Sequence, residues 1–155
     1  MSKKNTRLDL THLEELHTSG AGYDILRYVG LPELLGDEKD TILYYMGKTL
    51  ARKFDINTMD DIVQLFEQLG WGRLELTKQK KKSWEFHLLS DAVVLRLQGP
   101  FDADFRLEAG FLAEAVQKVS ETECECVEKI NQRIHQIEFS VLFTEVHVKN
   151  STIDA

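Results

Sequence analysis

Two cysteines stand two residues apart in Glu121-Thr-Glu-Cys124-Glu-Cys126. Closely spaced thiols could form a thiol site or supply part of a metal centre, provided that other ligands join them. If the segment is a strand, Cys124 and Cys126 share one face, and they read equally well as small apolar residues of a covered surface. Neighbouring positions on one strand do not suit a structural disulfide. The second candidate is Glu108, in Phe105-Arg-Leu-Glu-Ala-Gly-Phe-Leu-Ala-Glu114. At helical spacing its carboxylate points between Leu112, Ala115 and Phe111, into an apolar arc. A buried carboxylate needs hydrogen bonds or a cation, or else it loses its charge. Glu108 is therefore either a pocket carboxylate or a structural one, favoured by the first turn of its helix and paired with a cation such as Arg27, Lys48 or Arg52.

No complete catalytic set accompanies these residues. His12 and His17 are five apart and miss the i, i+4 geometry of a zinc helix, while His87 and His135 fall on the polar sides of strands and His147 stands alone. Asp102-Ala-Asp104 has the look of a cation-binding fragment, but two acids before a helix serve as its cap and dipole partners. The phosphate-loop, dinucleotide and serine-elbow motifs do not occur. Glu108, Phe111, Cys124 and Cys126 are thus candidate pocket or structural residues, with no catalytic residue, no metal ligand and no cofactor expected.

The elements that must carry these residues follow from periodicity. Residues 1–20 read as an N-terminal extension, with a capping box at Thr11-His-Leu-Glu14. Helices are expected from Tyr23 to a stop at Gly30, through Leu31-Pro-Glu-Leu-Leu-Gly36, from Asp40 to about Phe54, and from a Thr58 cap to a stop at Gly70. Leu43, Gly47 and Ala51 form a small-residue stripe at i, i+4 and i+8. Glycine inside a helix costs about 1 kcal/mol relative to alanine, so something should pack closely there. With Tyr44 beside it, this stripe is the candidate interface of a homodimer, although internal helix packing explains the same residues. The period then changes to two: 73–77 and 84–88 form an antiparallel hairpin, Val93, Leu95 and Leu97 a further short strand, and 123–129 and 137–143 a last pair around the helix of 105–119. The fold expected is α+β, in the order ααα-ββ(β)-α-ββ, with one domain over 21–147 and a flexible tail over 148–155.

The bulk numbers narrow the function. The chain has 155 residues, 43% hydrophobic and 29% charged, enough for one domain that needs no disulfides. A formal net charge of −7 argues against nucleic acid or an anionic membrane surface as partner. Lys78-Gln-Lys-Lys-Lys82 is locally basic but lies between two strands, as a solvated hairpin loop. No apolar run approaches a membrane span and no signal-peptide core is present, so a reducing cytoplasm is the expected location.

Four segments carry a family resemblance: Leu26-Arg-Tyr-Val-Gly-Leu-Pro-Glu-Leu-Leu-Gly36, Tyr45-Met-Gly-Lys-Thr-Leu-Ala-Arg-Lys-Phe54, Phe66-Glu-Gln-Leu-Gly-Trp-Gly72 and Phe105–Glu114. Together they resemble the YslB-like family of uncharacterised Firmicutes proteins, over about residues 22–145. More remotely, the pattern is similar to the superfamily of TRAPP tethering subunits, 4-vinyl-reductase-type domains and haem nitric-oxide sensors. The resemblance implies helices packed on an antiparallel sheet, often in a dimer and sometimes around a hydrophobic small molecule. Glu121-Thr-Glu-Cys124 matches the Glu-x-x-Cys of the 4-vinyl-reductase type, but Asn131-Gln132 stands near its Gly-Asp and Ile137-Glu-Phe139 replaces its Cys-x-Phe. The Tyr-x-Ser-x-Arg of the haem sensors does not occur. Two functions are expected on this basis: a non-enzymatic, dimeric module that binds a hydrophobic small molecule or a protein partner, or a small enzyme using Glu108 and Cys124.

Overall fold

A computed structural model describes Leu8, Leu10 and residues 20–144. The expected tail over 148–155, the Thr11 capping box, His12, His17 and His147 lie outside the described residues. The N-terminal layer runs as α1 (Ala21–Ile25), a π-helical turn (Leu26–Gly30), α2 (Leu31–Leu35), a 3₁₀ turn (Gly36–Glu38) and α3 (Lys39–Ala51). Gly30 does not stop the first helix: its φ of −69° and ψ of −51° are helical, and the chain continues directly into Leu31-Pro32. Helix α4 (Met59–Gln68) begins where the sequence places it. Thr58 Oγ1 accepts the Asp61 N–H at 3.2 Å and Asp61 Oδ2 accepts the Thr58 N–H at 3.0 Å, closing a capping box.

The sheet comprises β1 (Arg73–Gln79), β2 (Ser83–Leu89), β3 (Cys124–Asn131) and β4 (Gln136–Phe143), ordered β1-β2-β4-β3 and antiparallel throughout. Leu74 opposes Leu88, Phe86 opposes Phe139 and Cys126 opposes Val141, so every second residue builds one continuous apolar face. Exposed Lys80, Lys81 and Lys82 form the tip of the first hairpin.

Between the hairpins lie α5 (Asp91–Gln98) and α6 (Arg106–Ser120). The first of these corrects the strand expected at Val93, Leu95 and Leu97. Ser90 Oγ accepts the Val93 N–H at 3.4 Å and Asp91 sits in the first turn, which starts a helix. Its burial follows three-to-four spacing, with Val93 and Arg96 inside and Leu95 exposed.

Helix α6 lies on the apolar face of the sheet and α3 lies across α6, giving three layers. This crossing explains both mid-helix glycines. A Cβ on Gly47 would collide with the Leu107 carbonyl oxygen and come within 2.7 Å of the Phe111 nitrogen, and one on Gly110 would collide with the Tyr44 carbonyl oxygen. Backbone meets backbone there, and no side chain fits between. The expected dimer interface at Leu43, Tyr44, Gly47 and Ala51 is therefore corrected: all four are buried within the chain, against α6. Beneath the crossing, Phe66, Trp71 and Phe111 meet edge to face at centroid distances of 5.0–5.8 Å, and Phe139 joins them from the sheet at 6.5 Å from Phe66.

Candidate functional site

Glu108 stands in the first turn of α6 with no exposure to solvent, facing Arg27, which is 1% exposed. Arg27 comes from the π-helical turn, whose wider winding brings two consecutive residues, Arg27 and Tyr28, to the interior. The guanidinium donates to both carboxylate oxygens of Glu108 at 3.0 Å, a two-point pair. It also donates to Asp104 Oδ1 at 2.9 Å, to the Asp104 carbonyl at 3.1 Å and to the Tyr23 hydroxyl at 3.2 Å. Lys39 Nζ reaches the other Asp104 oxygen at 3.5 Å. Burial works against the charge of Arg27, but Glu108 outweighs it and the guanidinium stays charged. Burial, reinforced by Glu108, pushes the Tyr28 phenol up. Asp104 also accepts the Arg106 N–H at 3.1 Å, a capping role at the start of α6. Both oxygens of Glu108 are occupied and the carboxylate has no exposure to solvent, so the pair ties the π-helical turn to the start of α6.

A second buried arginine was not legible in the sequence. Arg96, on α5, donates to the Gly70 carbonyl at 2.9 Å, the Trp71 carbonyl at 3.3 Å and Asp24 of α1 at 3.1 Å. Read as a strand residue it had no inward direction. The only local clue was Ser90-Asp91 as a helix start.

The cysteines sit side by side on the covered face of β3. Cys124 Sγ lies 3.2 Å from the Ala113 carbonyl, and burial pushes its thiol up to about 12. Burial raises the Cys126 thiol as well. Raised thiols in apolar surroundings are poor nucleophiles. Among the described residues, no group of three or more His, Cys, Asp and Glu side chains gathers as metal ligands. Phe111 belongs to the aromatic core, against Phe66 and Trp71.

Polar side chains close the free edge of β3. The Tyr44 hydroxyl donates to Glu125 Oε1 at 2.5 Å and accepts the Cys126 N–H at 2.9 Å, while Lys48 Nζ lies 2.7 Å from the same Glu125 oxygen. Burial raises the Glu125 carboxyl, but the hydrogen bonds from Lys48 and Tyr44 prevail and hold it low. Arg106 pairs with Glu128 at 2.8 Å and lies 4.6 Å above the Tyr44 ring. Exposed strand edges invite pairing with other chains, and this network blocks one.

The outer surface of the helical layer is different. Among the described residues eleven large apolar side chains are exposed, and seven of them fall between positions 25 and 46: Ile25, Leu26, Val29, Leu34, Ile42, Tyr45 and Met46. Leu34 is 78% exposed. Ile42, Tyr45 and Met46 follow the i, i+3, i+4 spacing of one helix face, opposite the face that packs on α6. The π-helical turn contributes to the same contrast, turning Arg27 inward and Leu26 and Val29 outward. Scattered apolar residues need no explanation, whereas their concentration on one layer is a property that sets this layer apart from the rest of the described surface. No helix among the described residues is long and apolar enough to cross a membrane.

Comparison with known proteins agrees with this architecture. Residues 20–142 match the family described as protein of unknown function (DUF2507). The chain is 31% identical over 139 residues to the uncharacterized protein YslB of Bacillus subtilis, covering 90% of this chain and 94% of that one. It is 23% identical over 107 residues to the uncharacterized protein MJ1642 of Methanocaldococcus jannaschii, covering 68% and 65% respectively. Among solved structures, a vinyl-4-reductase family protein from M. jannaschii superposes with a TM-score of 0.61 over 87% of this chain and 88% of its own, at 15% identity. At that identity the likeness shows the fold alone.

Proposed function

Since the chain belongs to the family of unknown function that its residues 20–142 match, we propose a function carried by contact rather than by chemistry: a non-enzymatic module that engages a second polypeptide through its helical layer. The observation that carries this reading is the concentration of exposed apolar side chains on α1, the π-helical turn, α2 and α3. The residues that would serve an enzyme point the same way. Glu108 is held at both oxygens by Arg27, and the Cys124 thiol is pushed out of the range in which a thiolate forms near neutral pH. The packed rings of Phe66, Trp71, Phe111 and Phe139 fill the centre between helix and sheet, which favours a protein partner over a hydrophobic small molecule.

The test is co-purification with tagged wild-type chain, Leu26→Glu/Val29→Glu and Tyr45→Glu/Met46→Glu, each checked for an unchanged circular dichroism spectrum. These side chains are exposed, so the fold should survive while one or both pairs of substitutions abolish capture of a specific polypeptide. Recovery of the same polypeptides by wild type and both variants would refute the reading.

A further inference from the structure

Resting on that reading and deepening it, we infer that the partner of the helical layer is a basic amphipathic helix, an apolar stripe flanked by lysine or arginine. The charges of this layer sort by sign. Every cation from residue 21 to 52 is drawn to an acid of its own chain: Arg27 to Glu108 at 3.0 Å, Lys39 to Asp104 at 3.5 Å, Lys48 to Glu125 at 2.7 Å and Arg52 to Glu114 at 3.3 Å. The acids behave differently. Asp24 is engaged by Arg96 at 3.1 Å, but Glu33 of α2 and Asp37 and Glu38 of the 3₁₀ turn are exposed, and no cation among the described residues pairs with any of the three. Glu38 stands at the N-cap of α3 yet makes no side-chain capping bond, so capping does not account for it. Asp40, in the first turn of α3, is exposed as well, with Lys39 at 3.7 Å.

Exposed apolar side chains and unneutralised acids therefore stand on the same layer, with Leu34 directly after Glu33, and Ile42, Tyr45 and Met46 following Asp37, Glu38 and Asp40. A complementary partner buries the first set and neutralises the second. Apolar burial alone does not discriminate between partners, whereas the sign of the surrounding charge does. An acidic polypeptide or an anionic bilayer is repelled by these carboxylates, and the net charge of −7 extends that preference to longer range. The partner's backbone is constrained too. The backbone groups of α3 serve its own helical ladder, so an extended segment laid across it would leave N–H and C=O groups unpaired, while a helix satisfies its own. Ile42, Tyr45 and Met46, at i, i+3 and i+4, form the ridge on which such a helix packs.

The experiment is selection from a displayed library of amphipathic helices that share one apolar stripe, their flanking positions varied among lysine, glutamate and glutamine. The baits are the full wild-type chain, the neutralised Glu33→Gln/Asp37→Asn/Glu38→Gln, the reversed Glu33→Lys/Asp37→Lys/Glu38→Lys, and Tyr45→Glu/Met46→Glu, each with an unchanged circular dichroism spectrum. Wild type should enrich lysine flanks and the reversed variant glutamate flanks. Fluorescence anisotropy with a selected lysine-flanked peptide should show neutralisation weakening binding about fivefold or more at low salt, and less at high salt, as the loss of three exposed charge pairs implies. Tyr45→Glu/Met46→Glu should lose the peptide altogether. Selected peptides with no charge preference, or lysine flanks enriched equally by the reversed variant, would overturn the basic partner; if those peptides still required Tyr45 and Met46, the interaction reading would stand without it. A selection that yields no peptide, or peptides bound undiminished by Tyr45→Glu/Met46→Glu, would overturn both. Co-sedimentation of wild type with vesicles of phosphatidylserine and phosphatidylcholine is expected to be absent, and its occurrence would overturn the polypeptide partner in favour of a membrane surface.

Discussion

Replacing Glu108 with alanine removes one half of a two-point ion pair in which neither side chain meets solvent, and leaves the Arg27 guanidinium in place. Breaking a buried pair from one side costs about 3–5 kcal/mol, because the remaining charge keeps its desolvation penalty. Here the loss is cushioned. Asp104 still accepts two hydrogen bonds from Arg27, and Tyr23 accepts another. The expected cost is therefore at the lower end, about 3 kcal/mol. With a urea m-value of about 2 kcal/mol per molar, the midpoint of unfolding should fall by about 1.5 M without a change in slope. Glu108→Gln keeps the shape and one acceptor and should cost about half as much. The double variant Arg27→Met/Glu108→Leu, which removes both charges together, should recover most of the stability, since apolar replacement of a whole buried pair is often neutral. Urea unfolding followed by tryptophan fluorescence reads all three. A midpoint for Glu108→Ala indistinguishable from wild type would refute the view that this pair fastens the N-terminal helices to α6.

Alanine at Gly47 or Gly110 drives a methyl group into the backbone of the opposing helix, so either change should destabilise by about 3 kcal/mol, the upper end of overpacking, as thermal unfolding would show. Arg96→Ala should cost about 2–3 kcal/mol by stranding the Gly70 and Trp71 carbonyls, and hydrogen exchange should rise at the turn around Gly70 and at α1 together. Both thiols should resist alkylation at pH 8 until the chain is unfolded. Burial raises the Cys124 thiol from an ordinary 9.0 to about 12; its contribution to stability is complete below pH 9 and lost between 9 and 12, where the unfolded chain ionises first. Cys124→Ala should flatten that part of the pH–stability profile.

The parts of this molecule that were legible in the sequence are those fixed by local chemistry. Thr58 with Asp61 announced α4, and the alternation of Leu74, Leu76, Phe86 and Leu88 announced a hairpin, because capping and pleating act over a few residues. Glu108 stood out because a charge in an apolar arc demands a partner, and Arg27, one of three cations available, supplies it from 81 residues away. The failures are non-local or ambiguous in period. Val93, Leu95 and Leu97 alternate like a strand, yet Ser90 caps a helix and Arg96 turns inward to two carbonyls across the molecule. The Leu43–Gly47–Ala51 stripe shows that something approaches closely; only the tertiary structure reveals that it is α6 of the same chain. Gly30 reads as a stop from composition, but a π-helical turn carries the chain through it. The exposure of Ile42, Tyr45 and Met46 on the outer face of α3 was not legible, because it depended on knowing which face α6 covers.

Native mass spectrometry of the untagged chain, taken gently from the cells that produce it, tests the central claim most directly. The claim predicts an assembly containing a second polypeptide at micromolar concentration, reduced to the bare chain in Tyr45→Glu/Met46→Glu. A bare chain for wild type at every concentration, or a small-molecule adduct retained equally by wild type and variant, would contradict it.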